Sequence, residues 1–152
     1  MWLAEQALDV VSLDFSPAAQ NKARALAAER GVKVTFVRAD VHVWDYPQAA
    51  FDVVVEIFAQ FSPPAERAIK WRGMRRMLKS GGLLIIQGYA PKQLQYGTGG
   101  PKQLENLYTR AMLEREFGDF RDLKILEEER EMREGASHAG MSAVIGLTTI
   151  RP

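Results

Sequence analysis

Four runs of aliphatic and β-branched residues, DVVSLDF, VKVTFVRAD, FDVVVEIFAQF and LLIIQGY, punctuate the chain up to Tyr89. They are short and continuously apolar, without the polar alternation of a half-solvated strand, so they read as strands buried on both faces. Between the first two lies SPAAQNKARALAAERG, a helix with Ser16 as its cap, Pro17 in its first turn and Gly31 as its stop. Between the third and fourth lies SPPAERAIKWRGMRRMLKSGG, a helix capped by Ser62, with prolines at its start and a basic last turn that complements the helix dipole. Strand–helix alternation of this kind predicts an α/β fold, a doubly wound and mostly parallel sheet.

The flanks fit around that frame. MWLAEQAL has the composition and spacing of the end of a helix. After Tyr89, APKQLQYGTGGPKQ is rich in Gly and Pro and reads as a mobile loop, hinged at Gly97, Gly99 and Gly100. LENLYTRAMLEREFGDF predicts an amphipathic helix, and LKILEEEREM and SAVIGLTTI predict an antiparallel hairpin joined through REGASHAG. EEEREMRE then reads as an edge strand protected by charge. A length of 152 residues suits a single domain, residues 1–152, with a core of its own. The net charge of +1 builds in no long-range attraction to nucleic acid or anionic membrane. No apolar run approaches the roughly 20 residues that span a bilayer, and MWLAEQALDVV lacks the charged start of a signal peptide. With no cysteine there is no disulfide or thiolate chemistry, which fits a cytoplasmic protein.

In open parallel sheets, ligands bind beyond the carboxyl ends of the strands. Asp14 ends the first run and Asp40 the second, and one helical crossover makes their strands neighbours. One carboxylate there can grip a pair of ribose hydroxyls, and the other can meet the amino edge of a base. The plainer alternative is that each acid starts a turn or caps a helix. Glu56 interrupts an apolar strand. It either faces a cleft, where it can bind a cation or act as base, or it sits at an exposed edge. Tyr89, Gln93, Tyr96 and Tyr108 can present hydroxyls or an aromatic wall to a substrate. His138 can reach over the sheet end as a base, or be a solvated turn residue. His42 and His138 are the only histidines and have no ligand spacing, so no metal site is expected. KWRGMRRMLK, with Trp71 among cations, suggests either RNA contact or compensation of the helix dipole; nucleic acid is the less favoured partner.

Taken together, VVSLDFSPAAQNKARALAAERGVKVTFVRADVHVWDYPQAAFDVVVEIFAQF and the later MLKSGGLLIIQGY resemble the class I S-adenosylmethionine-dependent methyltransferases. Within them the chain is similar to the small bacterial branch that includes tellurite-resistance-type enzymes. The resemblance implies a Rossmann-like sheet of order 3-2-1-4-5-7-6, with S-adenosylmethionine as cofactor and a small molecule as methyl acceptor. It implies that Asp14 holds the ribose hydroxyls, Phe15 packs on the adenine, and Asp40 meets the adenine amino group with the Val41 backbone nearby. Glu56, Ile57 and Phe58 would line the methionine arm. The family opens with a strand and a glycine-rich turn, and this sequence begins after both, as an N-terminally truncated domain with its first strand missing. Strands two and four of the family order then have unpaired edges, to be left open, paired directly or filled by a second copy in a homodimer. The alternative to an enzyme is a methyltransferase-like remnant that acts as a dimeric or partner-binding module. A nicotinamide-dependent dehydrogenase ranks third, because the closing hairpin resembles the methyltransferase sheet.

Overall fold

The computed structural model describes residues 1–133 and 138–152. In chain order the elements are α1 (Trp2–Glu5), β1 (Val11–Asp14), α2 (Pro17–Glu29), β2 (Thr35–Arg38), β3 (Phe51–Ile57), α3 (Pro64–Met77), β4 (Leu78–Tyr89), α4 (Gln93–Tyr96), a 3-10 turn (Leu104–Asn106), α5 (Arg110–Phe117), β5 (Arg121–Arg133) and β6 (Ala139–Ile150). The expected α/β alternation and closing hairpin are both present. Of the joining segment REGASHAG, residues 134–137 lie outside the described residues. The chain divides into two compact units, Met1–Asp45 and Tyr46–Pro152.

In the first unit, β1 and β2 pair in parallel, with Val11 opposite Thr35 and Asp14 opposite Arg38. Crossover helix α2 is built by local signals. Ser16 Oγ accepts the Ala19 amide at 3.2 Å, and Pro17 occupies the first turn. At the other end the Val32 amide reaches the Ala27 carbonyl (3.0 Å) and the Gly31 amide reaches that of Ala28 (3.1 Å). That double closure requires a left-handed residue, and Gly31 supplies it at φ 62°. The strands differ from expectation in burial. β1 is exposed at Val11 and only half-buried from Ser12 to Asp14, because a two-stranded ribbon with one crossover helix cannot cover both faces.

The second unit holds a four-stranded sheet in the order β3-β4-β6-β5. β3 and β4 are parallel, and β6 joins β4 and β5 antiparallel to each. The two sheets reproduce the 3-2 and 4-5-7-6 portions of the anticipated order. Among the described residues, β1 and β3 each have one hydrogen-bonded strand neighbour. The KSGG turn is a bulge within β4. Leu78 pairs with Phe51 and Leu83 with Val53, so residues 79–82 loop out opposite Asp52, whose carboxylate takes the Lys79 ammonium at 2.8 Å. β5 is the charged edge strand that EEEREMRE predicts, and its burial is slight along most of its length.

The core of this unit is filled from both strand and helix. Val54, Leu84, Ile86, Ile145 and Leu147 from the sheet meet Trp71 and Met74 of α3 and Leu113 and Phe117 of α5. Each such side chain contributes about 1.5–3 kcal/mol through burial. Two helix expectations need correction. The residue at the N-cap of α3 is Pro63, one beyond Ser62, and it provides no side-chain cap. LENLYTRAMLEREFGDF divides into the 3-10 turn and α5, because Thr109 is extended and caps α5 by accepting the Met112 amide at 3.2 Å.

The stretch APKQLQYGTGGPKQ is likewise more ordered than its composition suggests. It forms α4, and its Gln93 is buried among three partners. The amide nitrogen donates to Thr98 Oγ1 (3.0 Å) and the Gly99 carbonyl (3.1 Å), and Oε1 accepts the Ala143 amide of β6 (2.9 Å).

Candidate functional site

In the first unit, Asp14 and Asp40 follow neighbouring parallel strands at their carboxyl ends. Each carboxylate is set by its own local turn. Asp14 Oδ1 accepts the Ser16 amide at 2.7 Å, and Asp40 Oδ1 accepts the His42 amide at 2.9 Å while facing His42 Nδ1 at 2.9 Å. So the turn-forming reading of both acids is correct as far as it goes. Yet only one oxygen of each is used: among the described residues Oδ2 of Asp14 and of Asp40 takes no partner. Phe15 is 65% exposed beside Asp14, and Val41 is half-buried beside Asp40. Gln20 of α2 ties the strand ends together, donating to the carbonyls of Asp14 (3.0 Å) and Val37 (2.7 Å). The result is two acceptors with open lone pairs and an exposed ring at one sheet end.

Glu56 is elsewhere than either sequence reading placed it. It is 6% exposed, so the exposed-edge alternative is overturned. Its carboxylate accepts Trp71 Nε1 at 3.1 Å and the Tyr108 hydroxyl, and Lys70 Nζ lies 3.2 Å away. Lys70 also donates to the Ala59 carbonyl at 2.7 Å. Burial draws the Lys70 ammonium below its ordinary range, and the Glu56 charge opposes that. Burial pushes the Tyr108 hydroxyl well above its ordinary range, and the Glu56 charge adds to the effect. The Arg67 guanidinium lies against the Trp71 and Tyr108 rings and donates to the Glu105 carbonyl at 2.7 Å. Neither Tyr108 nor Gln93 therefore forms an open wall, since both side chains are spent on interior partners. Trp71 is interior as well, which removes the stacking platform that an RNA-binding reading of KWRGMRRMLK requires. The three arginines of that stretch, Arg72, Arg75 and Arg76, join Arg151 around a cleft of about 500 Å³, where Arg75 is paired with Asp119 and Arg151 donates to the Leu78 carbonyl at the helix end. Arg75 and Arg76 lie in the last turn of α3, where cations complement the helix dipole.

At the carboxyl end of β3 a cavity of about 410 Å³ opens. Phe58, Phe61, Tyr89 and Pro101 wall it, and His138 and Asn106 contribute polar groups. Phe58 sits at φ 52°, a conformation that costs a non-glycine residue about 1–2 kcal/mol. Its ring lies 4.7 Å from that of Tyr89, and Ile57 before it is 47% exposed. Gln60 fixes the far side. Its side chain bonds both the amide and the carbonyl of Tyr89 and donates to the Asn106 carbonyl at 3.1 Å. Gly88 makes room for it, since a Cβ there would come within 2.6 Å of the Gln60 amide. Tyr96 lies apart on α4. It donates to Glu129, which also takes Lys92 at 2.7 Å, and those bonds hold the Glu129 carboxyl below its ordinary range. The sequence signalled Phe58, Tyr89 and His138. It gave no sign of Gln60, Phe61 or Asn106, which gain their positions only through contacts distant in the chain. Among the described residues no acidic or histidine cluster suits a metal, and no helix is long and apolar enough to cross a membrane.

Comparison with known proteins adds the following. The family model described as a methyltransferase domain matches residues 1–82. A demethylmenaquinone methyltransferase from Thermus thermophilus is 34% identical over 83 residues, which is 55% of this chain. The chain spans 37% of the length of that curated relative. Among solved structures, TehB from Haemophilus influenzae superposes with a TM-score of 0.78 at 13% identity, over 99% of this chain and 52% of that one. A SAM-dependent methyltransferase from Methanosarcina mazei gives 0.73 at 19% identity, over 99% and 86%. At these identities the two structures speak for the fold.

Proposed function

The chain belongs to the methyltransferase domain family, and on that premise we propose that it transfers a methyl group from S-adenosylmethionine to a small-molecule acceptor. The family is that of the class I S-adenosylmethionine-dependent methyltransferases, and it implies that cofactor. The observation that carries the reading is the pair Asp14 and Asp40 on neighbouring strand ends, each with one carboxylate oxygen open among the described residues. Those acceptors suit the donors of a nucleoside. Asp14 would take the ribose hydroxyls and Asp40 the adenine amino group, with Phe15 against the base and the Val41 backbone beside it. When bound, the cofactor supplies an electrophilic methyl on a sulfonium, whose carbon–sulfur bond breaks as the bond to the acceptor forms, leaving a neutral thioether and releasing a proton from the acceptor.

The protein's own part is positioning. Ile57 and Phe58 would line the methionine arm, while Glu56 holds the end of β3 through its interior bonds. Tyr89 and His138 would serve the acceptor side, with a ring for its wall and an imidazole to receive its proton. Gln93 and Tyr108 support that region from within, and Tyr96 stands on its outer surface. Residues 1–152 would act as one domain, since the matched segment runs through both units.

A second reading has its own observation, the single strand neighbour that β1 and β3 each have among the described residues. An open edge favours pairing with another chain, so a methyltransferase-like module that dimerises by edge pairing or strand exchange is the alternative. Calorimetric titration with S-adenosylmethionine and its demethylated product separates the two. Micromolar binding that Asp14→Ala removes supports the enzyme. A folded chain that binds neither at millimolar ligand and sediments as a dimer supports the module.

A further inference from the structure

We propose that the cavity at the end of β3 is the acceptor subsite, and that it selects a neutral aromatic molecule carrying a hydroxyl or N–H donor for Asn106 Oδ1; this rests on the methyl-transfer reading above. Asn106 is 8% exposed and lines the cavity, and its Oδ1 is a buried acceptor without a hydrogen-bond partner among the described residues. A buried carbonyl left unpaired forfeits its hydration without replacement, so folded chains rarely keep one without a use. An occupant that donates to it removes that cost. An occupant of the same shape without a donor does not, and the difference is a means of discrimination.

The walls define the rest of the ligand. Phe58, Phe61 and Tyr89 offer ring surface, and about 410 Å³ is within the usual range for a small-molecule site. Among the described residues the lining includes no Lys, Arg, Asp or Glu, and His138 at the exposed rim is its one titratable side chain besides the Tyr89 phenol. An oxyanion such as tellurite would lose its hydration here without a fixed counter-charge. Aromatic walls with one acceptor suit a phenol-like or aryl-amine-like ring instead. Asn106 is also held in place. Gln60 binds its carbonyl and both backbone groups of Tyr89, and the Tyr108 amide donates to the Tyr89 carbonyl at 3.0 Å. These bonds hold the backbone that carries Asn106, so the residue that presents Oδ1 is anchored on a fixed stretch of chain.

The test uses the full chain without cofactor and three probes: 2-naphthol, 2-methoxynaphthalene and naphthalene, followed by saturation-transfer NMR. We expect 2-naphthol to bind about tenfold more tightly than the other two, the factor that about 1.4 kcal/mol represents. Asn106→Leu should bring 2-naphthol down to the level of naphthalene while the melting temperature holds or rises, because the unpaired carbonyl is gone. Tellurite should displace none of the probes. Equal affinity for 2-naphthol and its methyl ether overturns the proposal, and that comparison needs no variant. Failure of all three to bind the folded chain overturns it too, as does displacement by tellurite. Because no probe run contains S-adenosylmethionine, a chain that binds 2-naphthol selectively yet fails the cofactor titration loses the methyl-transfer reading and keeps the subsite's selectivity.

Discussion

The two units place their carboxylates in opposite ways. In Met1–Asp45, Asp14 and Asp40 stand at the ends of a two-stranded ribbon, each oriented by an amide two residues away in the chain. In Tyr46–Pro152, Glu56 lies within a filled core and is held by Lys70, Trp71 and Tyr108, which are 14, 15 and 52 residues distant. The first arrangement is cheap to form and leaves lone pairs for a ligand. The second consumes every donor around it and makes the carboxylate part of the framework. An acid at a strand end is therefore a candidate for binding only where its neighbours leave it something to bind with.

Removing the Glu56 charge tests that contrast most severely. Glu56→Gln leaves Lys70 buried without its counter-ion, a situation that costs about 3–5 kcal/mol. Urea denaturation followed by tryptophan fluorescence, which reports buried Trp71, should show a loss of that order. Asp14→Asn, by comparison, keeps an oxygen that can accept the Ser16 amide and should alter stability by less than about 1 kcal/mol. Similar losses in the two variants would mean that Glu56 is not the framework residue described.

A smaller effect with a distinct pH signature comes from Tyr108→Phe. Loss of the hydroxyl leaves Glu56 short of one donor and should cost about 1–3 kcal/mol near neutral pH. The Tyr108 hydroxyl titrates above its ordinary value of 10.0 in the folded state. The unfolded chain therefore releases that proton first, and stability falls as pH rises past about 10. Lys70 works in the other sense. Its folded-state titration is lowered from 10.5, so the unfolded chain binds more protons below that value, and stability rises with pH up to it. The parent chain should accordingly turn over near pH 10. In Tyr108→Phe the decline attributable to Tyr108 should vanish and the Lys70 rise should persist. A variant whose alkaline profile matches the parent's would show that Tyr108 is not what sets the turnover.

How much of this was legible depended on how local each cause was. Asp14, Asp40, Ser16, Pro17 and Gly31 act through bonds to residues within a few positions, and a linear reading finds them. The α/β alternation and the charged edge strand were legible too, because period and composition record them. Burial of β1 was misjudged, since an apolar run reports what a strand prefers and not how many layers cover it. Glu56 could not be resolved between cleft and edge because its partners come from α3 and from the stretch before α5. Gln93 and Asn106 fell in segments read as loop and helix, and their roles arise from contacts with β6 and with Gln60. Long-range polar pairing leaves no periodic trace.

The smallest effect belongs to the first unit, where local signals can be removed one at a time. Ser16→Ala deletes the oxygen that accepts the Ala19 amide and should cost about 0.5–2 kcal/mol. Gly31→Ala forces a side chain into φ 62° at the other end of α2, at a cost of about 1–2 kcal/mol. No atom lies within 4 Å of the added Cβ, so the penalty is conformational and owes nothing to crowding. Amide hydrogen exchange can read both changes where they occur. Protection should fall along α2 by a factor of roughly ten in each variant, as about 1.4 kcal/mol implies, while amides of β4 and β6 keep their rates. Equal loss in β4 and β6 would mean that the two units unfold as one, and the local account of Asp14 and Asp40 would then have to include the framework that holds Glu56.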